Sequence, residues 1–134
     1  MSTLGHPAVL YACVHNAGRS VAAAVLTRHR GGDDVVVRSA GSQPGAGVDP
    51  VVAQVLAERG LAVTRHTPTL LDPALVRVAD VVVTMGCGET CPVFPGKRYE
   101  DWELDDPAGQ DLDHVRPIRD DIRRRIEHLL ATLS

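Results

Sequence analysis

The chain has 134 residues, 44% apolar and 23% charged, with a formal net charge of −3. That is one domain's worth of residues, enough to bury a hydrophobic core and too apolar for a disordered chain. The slight negative charge argues against a nucleic-acid or anionic-membrane partner, and no apolar run approaches the ~20 residues needed to span a bilayer.

In chain order, Ala8 to Cys13 is a short apolar run suited to a buried strand. Val14 to Gly18 interrupts it with small and polar residues. From Arg19 the spacing turns helical, with Val21, Ala22, Val25 and Leu26 on one face, and Gly31-Gly32 ends that helix. Val35 to Val37 predicts a second buried strand, closed by Ser39-Ala40-Gly41, and Ser42 to Gly47 is a loop. Asp49-Pro50 has the form of an N-cap followed by proline at the first helical position, and its helix continues through Val52, Val55 and Leu56 to Gly60. Leu61 to Leu71 is mostly irregular. Asp72-Pro73 repeats the cap signature and opens a short helix ending near Val78. Asp80 to Met85 predicts a third strand, and Gly86 to Gly96 a loop rich in glycine, proline and cysteine. Lys97 to Leu104 predicts a shorter fourth strand and Asp105 to Gln110 a turn. From Asp111 a long polar helix runs to about Leu130, with Val115, Ile118, Ile122, Ile126, Leu129 and Leu130 on its core face. Buried strands alternating with helices imply an α/β fold: a four-stranded parallel sheet in the order 2-1-3-4, covered on both faces, in a single domain over 1–134.

Met1 to Pro7 lacks the charged start and apolar stretch of a signal peptide, so the expected compartment is the cytoplasm. The three cysteines, Cys13, Cys87 and Cys91, are an odd count and do not read as a structural disulfide framework.

Cys13 instead opens a chemical constellation. Cys13, Val14, His15, Asn16, Ala17, Gly18, Arg19 and Ser20 lie between a strand and a helix. A loop of this length curls so that successive backbone N–H groups point inward as an anion nest, and the helix adds its positive end. Arg19 supplies a planar fork for two oxyanion oxygens. Ser20 is placed to donate to the sulfur or to an oxygen. These groups converge on Cys13 and favour its thiolate, the nucleophilic form.

This segment resembles the low-molecular-weight protein tyrosine phosphatase family, and the resemblance extends over essentially the whole chain, through Ser39-Ala40-Gly41 to Asp106-Pro107. It implies a four-stranded parallel sheet flanked by helices, with Cys13 as nucleophile, Arg19 as oxyanion clamp, Asp106 as general acid and Asn16 shaping the loop. Asp105 is an adjacent candidate for the acid. The stretches Met85 to Pro92 and Pro95 to Trp102 resemble more specifically the thioredoxin-linked arsenate reductase branch of that fold. The resemblance implies a relay: Cys13 attacks arsenate, Cys87 displaces arsenite, and Cys91 closes a Cys87–Cys91 disulfide. Thioredoxin would be the external reductant, with a small thiol such as mycothiol the other possibility. It implies no bound cofactor, and phosphate or sulfate as competing anions.

The chain departs from that pattern. His15 stands where phosphatases often carry a small residue. Ala24 and Thr69 stand where some such reductases place acidic side chains around potassium, so no metal site is expected. Cys87 and Cys91 are more closely spaced than in the best-known members. The alternative reading is a phosphatase that hydrolyses aryl phosphates through a Cys13 phospho-enzyme. The few aromatics and the Ala108-Gly109 that follow Asp106-Pro107 disfavour it. A thiol-based arsenite or metal binder is a third class. Composition leaves monomer and homodimer open.

Overall fold

The computed structural model describes residues 6–63, 68–86 and 97–133. Four parallel strands lie in the order expected from the sequence, β2-β1-β3-β4. β1 (Ala8–Cys13) pairs with β2 (Val36–Gly41) on one side and β3 (Val81–Thr84) on the other, and β4 (Arg98–Asp101) adds to β3. The register sets Cys13 beside Gly41, and Ala12 between Ala40 and Thr84. The carboxyl ends of the three strands therefore open on one rim. Strand order reverses between β1 and β3, the place where open α/β sheets hold their ligands.

Period-two alternation divides β1 between two cores. Val9, Tyr11 and Cys13 face α1 (Arg19–Gly31), α2 (Pro50–Ala57) and α4 (Leu112–Leu133). Leu10 and Ala12 face a smaller cluster with Ala40, Val82 and Val76 of α3 (Pro73–Arg77). Every β1 residue is buried, as a central strand requires. The buried stripe of α4 is Val115, Ile118, Arg119, Ile122, Ile126 and Leu129. Burying each of its isoleucines contributes about 1.5–3 kcal/mol. That offsets Pro117, which lacks an N–H to extend the helical ladder.

Some expectations need correction: the fourth strand covers only Arg98–Asp101 of the expected Lys97 to Leu104, and the third covers Val81–Thr84 of Asp80 to Met85. The second strand begins at Val36, not Val35, and is not buried throughout: Val36 is 38% exposed, because β2 is an edge strand with one open flank. Leu130 is only partly buried, at the margin of the α4 stripe. The Gly31-Gly32 stop ends α1 as expected and leads into a 3-10 turn, Gly32–Asp34, that the sequence pattern did not suggest. Gly32 takes φ +55 there, and its N–H returns to the Arg28 carbonyl.

Candidate active site

The segment from Cys13 to Arg19 leaves β1 and enters α1, and its carbonyls are pinned from outside. Ser42, Gln43, Gly45 and Asp49 donate their N–H groups to the carbonyls of Cys13, Val14, His15 and Ala17, at 3.2, 2.8, 2.9 and 2.8 Å. In a trans peptide the C=O of one residue and the N–H of the next point in opposite directions. The amides of Val14, His15, Asn16 and Gly18 are therefore turned toward the concave side, where Cys13 lies.

Asn16 holds this curl. It is fully buried, with φ +50, a left-handed conformation that asparagine tolerates better than most residues. Its Oδ1 accepts the Thr69 N–H at 3.0 Å, and its Nδ2 donates to Ser20 Oγ at 2.8 Å. Ser20 Oγ lies 2.8 Å from Cys13 Sγ. Asn16 donates to that oxygen, so the Ser20 proton is free to be donated to the sulfur when Cys13 is a thiolate. Asn16 thus shapes the loop and orients the hydroxyl that faces Cys13.

The start of α1 has no side-chain cap and no acidic residue in its first turn. The other three helices each begin at an aspartate. Asp49 accepts from Val51 N–H, Asp72 from Ala74 N–H and Asp111 from His114 N–H. The exposed amide end of α1 is thus reserved at the one helix that begins beside Cys13.

Arg19 is 11% exposed. Its Nη1 donates to the Leu104 carbonyl at 3.3 Å, and its Nη2 lies 3.8 Å from Asp106 Oδ2. Asp106 is 60% exposed, with its other oxygen accepting the Ala108 N–H at 3.0 Å. Pro107 packs on the loop so closely that a Cβ at Gly18 would sit 2.9 Å from Pro107 Cγ. A small cavity of about 40 Å³ opens over Cys13, walled by His15, Ala17, Arg19, Asp49, Asp106 and Ala108 among others. Asp106 reaches this cavity; Asp105 is exposed and not among its walls. The His15 Nδ1 lies 2.9 Å from the Gln43 carbonyl. Ala24 is buried within α1, and the Thr69 backbone N–H donates to Asn16 Oδ1. Cys87 and Cys91 lie outside the described residues.

Two glycines matter here beyond the expected residues. A Cβ at Gly41 would sit 2.6 Å from the Val14 carbonyl oxygen and 2.8 Å from the Asn16 nitrogen. Only glycine lets β2 approach the loop backbone, which gives the Ser39-Ala40-Gly41 signature its physical reason. Gly86, just beyond β3, lies against the Arg19 guanidinium. In the sequence both read as strand-end or loop glycines, with no signal of what they touch.

Behind the loop, Tyr11 is fully buried with its hydroxyl 2.7 Å from Thr27 Oγ1. Thr27 donates to the Ala23 carbonyl, so Tyr11 donates to Thr27. Burial pushes the Tyr11 phenol well above its ordinary pKa. Trp102 packs on it with ring centroids 5.8 Å apart. Tyr11 and Trp102 therefore brace the sheet behind the site and are not among the walls of the cavity over Cys13.

Comparison with known proteins agrees with this geometry. The thioredoxin-dependent arsenate reductase of Corynebacterium glutamicum superposes with a TM-score of 0.87 at 42% identity. That match covers 98% of this chain and 64% of the other, so the chain spans a little under two thirds of that protein. An arsenate reductase from Archaeoglobus fulgidus superposes with a TM-score of 0.78 at 32% identity, covering 92% of this chain and 98% of that one. Arsenate reductase 1 of Staphylococcus haemolyticus is 31% identical over 128 residues, 93% of this chain and 96% of its own length. Residues 8–134 match the low molecular weight phosphotyrosine protein phosphatase family. A cysteine loop closed against Gly41 at the strand-order reversal of a β2-β1-β3-β4 sheet is the form that match takes here, and the chain belongs to that family.

Proposed function

We propose that this protein reduces arsenate to arsenite. The observation that carries the reading is the cavity over Cys13. It is lined by inward-turned amides and Arg19, holds about 40 Å³, and has no aromatic wall among the described residues. Clefts that enclose larger organic ligands hold about 300–1,000 Å³ and are mostly apolar. This one suits a bare tetrahedral oxyanion better than a phenyl ester. The arsenate reductases among its relatives support the same substrate.

In this reading Cys13 acts as a thiolate. The loop amides, the uncapped start of α1 and Arg19 gather the arsenate oxygens, and the thiolate attacks arsenic. A sulfur–arsenic bond forms, and an arsenate oxygen leaves as water after protonation, with Asp106 as the proton donor at the rim. The Cys87 thiolate then attacks Cys13 Sγ. A disulfide forms, the electron pair of the sulfur–arsenic bond passes to arsenic, and arsenite departs. Cys91 attacks Cys87, freeing Cys13 and leaving a Cys87–Cys91 disulfide. A dithiol protein, thioredoxin, reduces that disulfide by exchange and is oxidised in turn.

The second reading, aryl-phosphate hydrolysis, is favoured by the family itself, because Cys13, Arg19 and Asp106 would suffice for it. Cysteine variants separate the two. Arsenate-dependent oxidation of NADPH through thioredoxin and its reductase should vanish in Cys13→Ser and fail after at most one turnover in Cys87→Ser and Cys91→Ser. Slow aryl-phosphate hydrolysis should survive both of the latter changes. Peptide mapping after one arsenate turnover should find Cys87 joined to Cys91 and Cys13 free. Wild-type multiple turnover in both Cys87→Ser and Cys91→Ser would overturn the relay, and vigorous aryl-phosphate turnover without arsenate reduction would favour the phosphatase.

A further inference from the structure

Among the described residues, Arg19 is held with little polar help. Its carbonyl contact is 3.3 Å and its carboxylate contact 3.8 Å, and neither fixes the plane of the guanidinium. What lies against that plane is Gly86. A Cβ built there would sit 2.6 Å from Arg19 Nη1, 3.1 Å from Cζ and 3.1 Å from Nη2. No side chain is compatible with the present position of the guanidinium. Gly86 also takes φ +87, which turns the backbone just after β3.

We propose that Gly86 is a positioning residue for oxyanion binding: the space left by its missing side chain is where the Arg19 guanidinium lies while clamping the anion. The inference rests on the oxyanion reading of the Cys13 loop. A methyl group at residue 86 displaces both terminal nitrogens, and with them the fork that receives two oxygens. The Cys13 loop itself is held by Asn16, Gly41 and the residues after β2, whereas the three atoms nearest a Cβ at Gly86 all belong to Arg19. The damage should therefore fall on anion affinity and leave the thiol in place.

The test must separate this contact from the strain of forcing alanine into a left-handed turn. Gly60 supplies the control. It has φ +75, similar to Gly86, and a Cβ there would meet nothing within 4 Å. Gly86→Ala and Gly60→Ala should lose comparable stability from backbone strain, read as urea midpoints. The functional readout is protection of Cys13 from iodoacetamide by inorganic phosphate, measured with Cys87 and Cys91 replaced by serine.

Gly86→Ala should weaken the apparent phosphate affinity by about tenfold or more, the scale of one charge-assisted hydrogen bond. Gly60→Ala should match the parent. In an Arg19→Lys background, where no planar fork lies against residue 86, adding Gly86→Ala should hardly change protection further. If Gly86→Ala alone fails to fold while Gly60→Ala folds, recovery of folding in the Arg19→Lys background supports the contact and its absence overturns it. Equal protection in Gly86→Ala and the parent overturns the proposal, as does an equal loss in Gly60→Ala. Should phosphate fail to protect even the parent, the oxyanion reading of the loop fails instead, which is a different result.

Discussion

Two arginines on two helices show how differently this molecule uses the same side chain. Arg119 of α4 is 5% exposed and has three close partners. Its Nη1 donates to the Val55 carbonyl at 2.8 Å and to Glu58 Oε1 at 2.9 Å, and its Nε donates to Asp120 Oδ1 at 3.0 Å. Arg19 of α1 is nearly as enclosed, yet its polar contacts among the described residues are one long carbonyl bond and a distant carboxylate. A guanidinium carries five N–H donors. In Arg119 the Nη1 donors tie α4 to Val55 and Glu58 at the end of α2. In Arg19 most are held in reserve beside a thiol. The helix starts differ in the same sense: α2, α3 and α4 begin at capping aspartates, whereas α1 begins uncapped at the loop. Unspent donor capacity, more than burial or charge count, distinguishes the site from the scaffold.

Exchanging the character of the two arginines is the strongest way to break that contrast. Arg19→Lys keeps the charge and loses the fork. The kcat/KM for arsenate should fall by about a hundredfold or more. The urea midpoint should stay within the change expected of a substitution with few native contacts, about 0.5 kcal/mol. A large stability loss with modest kinetic loss would make Arg19 a structural arginine like Arg119. The converse substitution is Arg119→Met, which fills similar space without donors. It leaves the Val55 carbonyl and Glu58 short of a partner and should cost about 1–3 kcal/mol in denaturant unfolding, with arsenate turnover by the folded protein unchanged. Comparable losses of activity would mean that the α2–α4 seam reaches the site, and the division drawn above would not hold.

The contrast also marks what the sequence could reveal. Strand order, the Asp-Pro helix starts and the α4 stripe follow from patterns local in the chain: alternation, caps and helical spacing. The Cys13 to Ser20 loop is legible for the same reason, since one contiguous segment supplies thiol, amides, fork and hydroxyl. Contacts made across long sequence separations are not legible. Nothing local says that Thr69 donates to Asn16, that Gly41 admits the loop backbone, or that Gly86 makes room for Arg19. The exposure of Val36 is hidden for a related reason, because a run of valines reads alike in a central strand and at an edge. Arg119 was the least legible of all. It occupies the core stripe of α4, where an arginine would be assigned to solvent, and its partners Val55 and Glu58 lie about sixty residues away.

The mildest test concerns the carboxylate that Arg119 shares with its neighbour. Glu58 is held down to about 2 from an ordinary 4.5, first by its hydrogen bond with Arg116 and next, against an opposing effect of burial, by Arg119. A carboxylate whose folded value is depressed contributes stability that is fully present above its unfolded value. That contribution is lost as pH falls through the folded value. The difference in urea stability between the parent and Glu58→Gln should therefore be constant from neutrality to about pH 4.5 and should shrink steadily toward pH 2. Asp120 is also depressed, chiefly by its hydrogen bond with Arg119, but it is present in both proteins and largely cancels in the difference. Glu58 is about a third exposed, so water screens the pair and the difference should be small. It should also shrink with added salt, because the Arg116 partner is itself at the surface. A gap that persists undiminished to pH 2 would mean that Glu58 acts through packing of its stem. Arg119 would then rest on Val55 and Asp120, and the seam would resemble the sparsely bonded site more closely than the geometry indicates.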